Sequence, residues 1–437
     1  MLNIGLSIVQ NRVASSLSTA FADFGANPSI IAADADQDAL FLSDASTGNV
    51  LTSVSLSEFG APTNGSGFIG FDKSGNAIEY SDGELPRTWD ASNNQWIWMT
   101  DPAVTRLNAL SANSVPVFGS ITRTALAATG DLTPYRCTAS SGSDRLSPVA
   151  AKTSGTAYTM AVSLKNITGT PSFQMYADTS TVTCVPTETA GDLTPSVGGT
   201  WTNGSARMVA EGGGWFRLEL TATAGETGSS ADRLIIDTGG SGSIDIRAIQ
   251  TTATDKFPGW VGGDQTVGNV DREALEWFLG SRAVAAVQAA TDLTLGLDFV
   301  ETGGTYTSPN IPALAYIKGA GDGIELYALV SNFGVSDTTS SGRTTLSNLG
   351  NHDLPGKARL AVGVTASSTD IRASGDGDPA ATVSTFGSLP IDWSEVTEIS
   401  FGSSWGSWNR DLPGGINKIA IAAVDTSNAD LEAWSGL

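Results

Sequence analysis

The sequence predicts a mostly β protein, in which an N-terminal region is followed by two antiparallel β-sandwich domains of the jelly-roll type. Short apolar segments alternate with polar residues at a period of two, and turn residues separate them. Glycine is abundant, with 50 residues in a chain of 437, as expected of many strands joined by tight turns. No repeat of about 20–50 residues is visible, which argues against a β-helix or a propeller.

The charge balance is strongly acidic. The chain carries 45 acidic against 23 basic residues, a formal net charge of −22. Such a surface repels nucleic acid and anionic membranes, so we expect neither as a partner. No apolar run approaches the ~18 residues of a membrane span, and the first residues lack the basic start and long apolar core of a signal peptide. We therefore expect synthesis in a cytoplasm and no membrane insertion.

The first predicted region covers residues 1–110. Apolar positions between Ile8 and Phe21 fit a short amphipathic helix, which Asn27 and Pro28 would end. Turn residues separate the short strands that follow. These strands are predicted at 30–31, 39–42, 49–56, 67–71 and 77–80.

One acidic turn in this region begins like a calcium-binding loop. Asp34, Asp36 and Asp38 have the spacing of its first ligands. Ala39 and Ala45, however, stand where such a loop needs a glycine and a bidentate acid. The sequence therefore predicts a solvated acidic turn, with no metal or other cofactor.

The second predicted domain covers residues 111–260 and is organised around the strand that begins at Trp215. A turn of three glycines leads into it, and its period of two places Trp215, Arg217 and Glu219 on one face. Leu218 and Leu220 lie on the other face, so the strand has one buried face and one face available for contacts. The remaining strands are predicted at 133–138, 157–164, 172–176, 206–210, 233–237 and 244–250.

The third predicted domain covers residues 261–437 and starts with a connector helix at 271–280. Asp271 would be its N-cap and Gly280 its end, with Leu275, Phe278 and Leu279 on one apolar face. A short helix at 427–434 ends the domain. Between the two helices, strands are predicted at 293–299, 313–318, 323–330, 359–364, 369–373, 398–402 and 415–422.

The sequence offers no catalytic constellation, so we expect no enzyme. A triad or a Cys-His pair needs a histidine, and the chain has one, His352, in a loop by composition. A zinc site would have to combine it with Cys137 and Cys184, and these three residues are too dispersed. The two cysteines could pair, although we favour free thiols. Carboxylate pairs for glycoside hydrolysis are inevitable among 45 acidic residues and therefore remain possible.

Sugar binding needs flat aromatic faces beside carboxylates, amides or arginines, and two places supply them. The first is the predicted second domain, although its Trp215 would be half-buried. The second is the glycine- and serine-rich loop 402–415, whose tryptophans could equally pack against a neighbouring subunit. The candidate carbohydrate-binding residues are Trp201, Trp215 and Arg217 in the first place, and Trp405, Trp408, Asn409, Arg410 and Asp411 in the second.

Segments at the end of the first region and in the second domain carry a family resemblance. The segment 83–87 reads GELPR, and 96–111 has Asn108 and Leu110 at matching places. Further along, 214–218 (GWFRL), 244–250 (IDIRAIQ) and Phe257-Pro258 follow in order and spacing. They resemble virion proteins of tailed bacteriophages and related particles, which carry a carbohydrate-binding-module-like jelly roll after such segments.

The C-terminal domain carries a second resemblance. Its segments 359–363 (RLAVG), 374–378 (SGDGD), 399–402 (ISFG) and 415–422 (GINKIAIA), with the closing 427–434, resemble concanavalin-type or laminin-G-like sandwiches. Such domains are also common at the ends of phage fibre proteins. The two resemblances together cover residues 83–437.

The resemblances imply a non-catalytic structural protein of a phage-like virion: a tail fibre, a head spike or a capsid decoration. Its residues 1–110 would attach to other virion proteins, and the sandwiches would contact host surface glycan. A homo-oligomer is implied, with a trimer favoured. A bacterial surface or secreted lectin-like adhesin, and a polysaccharide depolymerase, are the alternatives.

Overall fold

The computed structural model describes most of the second predicted domain and parts of the other two. The described residues are 23–24, 27–44, 50–62, 67–81, 83–100, 104–228, 231–263, 265–266, 270–272, 275, 277–301, 313–319, 322–328, 333–339, 342–349, 356–365, 371–375, 392–402 and 414–435. The helix predicted between Ile8 and Phe21 lies outside them.

The chain is mostly β, as predicted. Before residue 111 the strands are β1 Asp23–Phe24, β2 Asn27–Pro28, β3 Ile31–Asp34, β4 Ala39–Asp44, β5 Val50–Ser53, β6 Gly60–Pro62, β7 Phe68–Phe71, β8 Ala77–Tyr80, β9 Arg87–Asp90, β10 Gln95–Thr100 and β11 Val104–Arg106. The next strands are β12 Val117–Phe118, β13 Thr122–Ala125, β14 Tyr135–Thr138, β15 Arg145–Leu146, β16 Ala157–Thr168, β17 Ser172–Ala177, β18 Ser180–Cys184, β19 Gly191–Leu193, β20 Ser196–Val197, β21 Thr202–Gly212, β22 Trp215–Thr223, β23 Arg233–Ile235, β24 Ser243–Thr252, β25 Trp260–Val261 and β26 Val270–Arg272. The C-terminal strands are β27 Trp277–Leu279, β28 Asp292–Glu301, β29 Ala313–Lys318, β30 Asp322–Ala328, β31 Phe333–Thr339, β32 Gly342–Leu349, β33 Gly356–Thr365, β34 Ile371–Gly375, β35 Glu398–Phe401 and β36 Gly414–Ala422.

Helices are few and short in the described part of the chain. They are α1 Leu56–Phe59, α2 Ser281–Gln288, α3 Asn428–Ser435 and a 3₁₀ turn at Trp393–Glu395. None of these is long and apolar enough to cross a membrane. The terminal helix predicted at 427–434 is confirmed as α3.

The connector helix predicted at 271–280 is wrong. Residues 270–272 and 277–279 are the strands β26 and β27, and helix α2 begins only at Ser281. The helical spacing of Leu275, Phe278 and Leu279 competes with a period of two, in which Leu275, Trp277 and Leu279 are the buried positions. Trp277 decides the outcome, because its ring packs against other buried aromatic rings, with 5.2 Å between its centre and that of Trp98.

The structure forms two compact units built from interleaved segments. Unit 1 combines Met1–Thr63, Ile97–Thr100 and Leu275–Leu437, and unit 2 combines Asn64–Trp96 with Asp101–Ala274. The predicted boundaries at residues 110 and 260 divide the chain into consecutive segments. They therefore assign residues 64–96 to the N-terminal region, whereas the structure has these residues in unit 2. The attachment role of residues 1–110 stays a prediction.

Unit 1 contains two large antiparallel sheets. One has the strand order β34-β33-β28-β36-β3-β4-β5, and β10 also pairs with β36. The other has the order β32-β31-β30-β29-β35-β27-β6. Aliphatic side chains of both sheets, among them Leu295, Ile317 and Val362, line the space between them.

A ladder of alternating charge crosses four strands of unit 1. Arg359, Asp298, Lys418 and Asp34 stand opposite one another in register on β33, β28, β36 and β3. Asp34 was predicted in a solvated turn, but it is 2% exposed, and its carboxylate accepts from the backbone N–H groups of Asp36 and Gln37. Its oxygens therefore hold the turn together.

Unit 2 contains the predicted antiparallel sandwich. Its larger sheet has the order β13-β14-β24-β16-β22-β21-β19, and its smaller sheet β12-β15-β23-β17-β18-β20. Alternate residues of both sheets, such as Met160 and Val162 on β16 and Phe173 and Met175 on β17, form the core between them. The strands predicted at 157–164, 172–176 and 244–250 are confirmed as the longer strands β16, β17 and β24.

A third layer covers the outer face of the larger sheet. The three-stranded sheet β25-β7-β8 contributes apolar side chains to a second cluster, including Ile69, Phe71 and Trp260. Ala161 on β16 and Ala248 on β24 belong to the same cluster. Ala161 alternates with the core residues of β16, so it lies on the face turned away from the main core.

Candidate functional site

The structure describes only one of the two predicted sugar-binding places. The five candidates of the C-terminal loop, namely Trp405, Trp408, Asn409, Arg410 and Asp411, lie outside the described residues, and their role stays a prediction. Trp201, by contrast, is 3% exposed and lies in the main core of unit 2. A ring in that position has no face to offer to a sugar.

Trp215 and Arg217 are buried as well. Trp215 is 2% exposed, and two cations already lie near its ring, with Lys165 Nζ at 4.4 Å from the ring centre and the Arg247 guanidinium carbon at 4.6 Å. Arg217 forms ion pairs with Glu211 and Glu219 at 2.9 and 2.7 Å. The structure therefore does not support sugar stacking at this place.

Glu211 is the centre of a buried polar network on this outer face. One carboxylate oxygen accepts from Ser163 Oγ and Arg247 at 2.5 and 2.8 Å, and the other accepts from Arg217 and Trp260 Nε1 at 2.9 and 2.8 Å. Burial favours the neutral form of Glu211, but the charges of Arg247 and Arg217 outweigh it and hold the pKa of this carboxyl below its usual range. The network is internally satisfied.

The turn between β7 and β8 covers this network. Arg247 donates to the carbonyl oxygen of Gly75, and its guanidinium carbon lies 3.7 Å from the centre of the Phe71 ring. A Cβ on Gly75 would lie 2.7 Å from the carbonyl oxygen of Gly212, and its φ of +78° also favours glycine. We call this surface, with Glu211, Arg217 and Arg247 at its centre, the closed face. The face predicted to be available on β22 is thus closed by the chain itself.

The outer face of the smaller sheet has the opposite character. Phe173 and Met175 point into the core, so the alternation of β17 turns Gln174 and Tyr176 outward. Arg233 stands opposite Gln174 on the neighbouring strand β23. These outward side chains are partly exposed.

A second row on the same face contains another arginine. Arg145 on β15 stands opposite Phe118 on the edge strand β12 and opposite Ile235 on β23. The Arg145 guanidinium carbon lies 3.8 Å from the centre of the Phe118 ring, and the ring itself remains 53% exposed. We call Phe118, Arg145, Gln174, Tyr176 and Arg233 together the arginine face.

Each arginine of this face rests on an aromatic ring, and neither has a carboxylate partner among the described residues. The Arg233 guanidinium carbon lies 3.8 Å from the centre of the Tyr176 ring. Within the part of the chain that the structure describes, no carboxylate forms an ion pair with Arg145 or Arg233. Burial and then the nearby charge of Arg233 lower the pKa of the Arg145 guanidinium.

Two polar atoms of the arginine face are buried without a hydrogen-bond partner among the described residues. They are Arg145 Nε and Gln174 Oε1. The Gln174 amide nitrogen donates to Ser172 Oγ at 3.3 Å, so the side chain is held while its oxygen has no donor. Buried polar atoms are satisfied in most native structures, and exceptions need an explanation.

The sequence contained a signal for this face. The strand predicted at 172–176 has Phe173 and Met175 on one side, which leaves Gln174 and Tyr176 on the other. The predicted strand 233–237 likewise begins with Arg233. What the sequence could not show is the pairing that brings Arg145 and Phe118 beside them.

The described residues offer no cluster of metal ligands, and their two cysteines are buried. Among the described residues, no three His, Cys, Asp or Glu side chains are grouped as metal ligands. Cys137 and Cys184 are free and buried, and burial raises their pKa values to about 12 and about 11. Both therefore stay protonated thiols at neutral pH. His352 lies outside the described residues.

Comparison with known proteins gives distant similarities of fold. No protein-family model matches the chain, and no curated protein matches it. A Ruminococcus gnavus sialidase CBM40 bound to α2,3-sialyllactose shares 14% identity over 36% of this chain and 89% of its own, with a TM-score of 0.29. A leech intramolecular trans-sialidase shares 16% identity over 36% of this chain and 25% of its own, with a TM-score of 0.30. Mouse laminin α1 domains LG4-5 share 11% over 62% of this chain and 84% of theirs, with a TM-score of 0.20.

Proposed function

We propose that this protein is a non-catalytic glycan-binding protein and that the arginine face is its binding site. The observation that carries the proposal is the composition of that face. An exposed ring at Phe118, an amide at Gln174 and two arginines lie together on one sheet surface, with hydrogen-bonding capacity that the described chain leaves unused. Rings beside amide and guanidinium groups are what bind sugars in proteins.

Two buried carboxyls have a raised pKa, and neither is placed to act as a general acid. Burial raises the pKa of both Asp34 and Asp232. Asp34 is 2% exposed, and Asp232 is fully buried against Lys152 at 3.1 Å. A general acid for glycoside hydrolysis needs a raised pKa at a place that substrate can reach.

The test of the function is a glycan array probed with the full chain. Wild type is compared with Phe118→Ala plus Gln174→Ala, and with Trp405→Ala plus Trp408→Ala, which tests the C-terminal loop. We expect wild type to bind and the first double variant to lose binding while keeping its melting temperature.

If only the tryptophan double variant loses binding, the site lies in the C-terminal loop instead. If wild type binds no glycan, the proposed function is overturned. Release of reducing ends from a bound polysaccharide would overturn the non-catalytic role.

The finer proposal is that the protein is a structural component of a phage-like virion: a tail fibre, a head spike or a capsid decoration. The resemblance of 214–218 and 244–250 to that family supports it. Residues 1–110 would then attach to other virion proteins, a trimer would be the favoured oligomer, and the bound glycan would belong to the host surface. Mass spectrometry of purified virions tests whether the protein is a virion component. Light scattering of the purified chain tests whether it is a trimer. Recovery from a bacterial envelope instead would favour the adhesin.

A further inference from the structure

We infer that the arginine face recognises a carboxylated sugar, and this inference rests on the proposed glycan-binding function. It begins from an imbalance of charge. The chain carries a net charge of −22, yet Arg145 and Arg233 lie close enough for the charge of one to lower the pKa of the other. In the described part of the chain, the buried arginines Arg217 and Arg247 each have a carboxylate partner within 3 Å.

The two guanidinium groups belong to adjacent strands. Arg145 stands opposite Ile235, and Arg233 lies two residues before Ile235 on the same face of β23. Diagonal neighbours of this kind have Cα atoms about 7–8 Å apart. That spacing suits a single sugar ring whose acidic group and hydroxyl groups are held at the same time.

The acidic group of the ligand supplies the missing negative charge. A guanidinium binds a carboxylate through two parallel hydrogen bonds, and such charge-assisted bonds are about twice as strong as neutral ones. Sulfate could offer the same charge, but a sugar carboxylate is planar and fits the planar fork of an arginine. We therefore assign the site to a hexuronic acid or another carboxylated sugar.

The remaining members of the face have roles that follow from their position. Gln174 Oε1 has no donor in the described chain and can accept from a sugar hydroxyl or amide group. Phe118 is 53% exposed, and the part of its ring that Arg145 leaves open can contact the apolar side of a pyranose. A ligand bound in this way would give both unpartnered polar atoms a partner after a small rotation of their side chains.

The experiment compares each sugar acid with its uncharged methyl ester. The full chain is titrated calorimetrically with oligogalacturonate, its methyl ester, and N-acetylneuraminic acid with its methyl ester, beside a sulfated neutral oligosaccharide. We expect an acid to bind at least about tenfold more tightly than its own ester, since the ester cannot form the charged bonds. Arg145→Gln and Arg233→Gln should each weaken acid binding about tenfold or more, and Arg145→Lys should weaken it less than Arg145→Gln.

The matched control is Arg282→Gln, because Arg282 is an exposed arginine of unit 1 with the same charge and should leave affinity unchanged. Equal binding of acid and ester, or tighter binding of the sulfated sugar, would overturn the carboxylate inference while the glycan-binding function stands. An acid that binds both arginine variants as well as wild type would overturn the assignment of the site. Absence of all sugar binding here and on the glycan array would overturn the function itself.

Discussion

The two outer faces of the unit 2 sandwich contrast in how they treat charge. On the closed face, Glu211 neutralises Arg217 and Arg247, and the β7–β8 turn accepts a hydrogen bond from Arg247. On the arginine face, Arg145 and Arg233 rest on aromatic rings with no described carboxylate beside them. Both faces look polar in sequence. The two faces differ in whether carboxylates neutralise their arginines, and the proposed binding site rests on that difference.

The largest effect that tests this contrast concerns the centre of the closed face. Glu211→Gln leaves Arg217 and Arg247 buried without their shared counter-charge, and breaking a buried pair in this way costs about 3–5 kcal/mol. We expect the free energy of unfolding to fall by that amount in urea titrations. Glu188→Gln, at an exposed glutamate, is the matched control and should have almost no effect. A loss below about 1 kcal/mol for Glu211→Gln would show that the closed face is not an obligatory buried network.

An intermediate effect is expected at Asp237, which ties together the strands that carry the arginine face. Its carboxylate accepts from the backbone N–H groups of Thr170, Gly239, Ser241 and Gly242 at 2.8–3.0 Å. These bonds lower the pKa of Asp237 to about 2. Asp237→Asn has one accepting oxygen instead of two, so we expect a loss of about 1–3 kcal/mol at pH 7.

The same residue predicts a dependence on pH. The pKa of Asp237 is lower in the folded protein than the value of about 3.9 in an unfolded chain, so its contribution is complete above pH ~4. It is lost as the pH falls from ~4 to ~2. Melting temperatures measured across this range should therefore fall more steeply for wild type than for Asp237→Asn. Parallel curves for the two proteins would contradict the assignment.

The smallest effect is expected on the arginine face. Arg145→Gln relieves the charge repulsion with Arg233, removes the stacking on Phe118 and breaks no ion pair among the described residues. The free energy of unfolding should therefore change by less than about 1 kcal/mol. Arg247→Gln on the closed face is the counterpart and should be far more destabilising. Equal losses for the two variants in urea would remove the contrast between the faces.

Much of the sandwich could be predicted from the sequence, because the alternation along β16, β17 and β24 is a local property of the chain. The closed face could not be predicted, since its cover comes from the β7–β8 turn, far from Trp215 in sequence. The helix predicted at 271–280 was wrong because Trp277 packs with aromatic rings from distant segments. Only part of the arginine face could be predicted. The outward direction of Gln174 and Tyr176 follows from the alternation of β17, whereas the position of Arg145 beside Phe118 and β23 depends on strand pairing.

The interleaving of the two units has a consequence for synthesis on the ribosome. Strand β3 near the start of the chain pairs with β36 near residue 420, so unit 1 cannot complete its sheet until almost all of this sequence has been translated. The segments of unit 2 are translated after β3 and before β36. They can therefore fold while β3 is still unpaired. Domains generally fold as units during translation, and pairing over such long sequence distances is slow. The early strands of unit 1 are therefore the part of the nascent chain most exposed to mispairing, and slower translation of its last third would prolong that exposure.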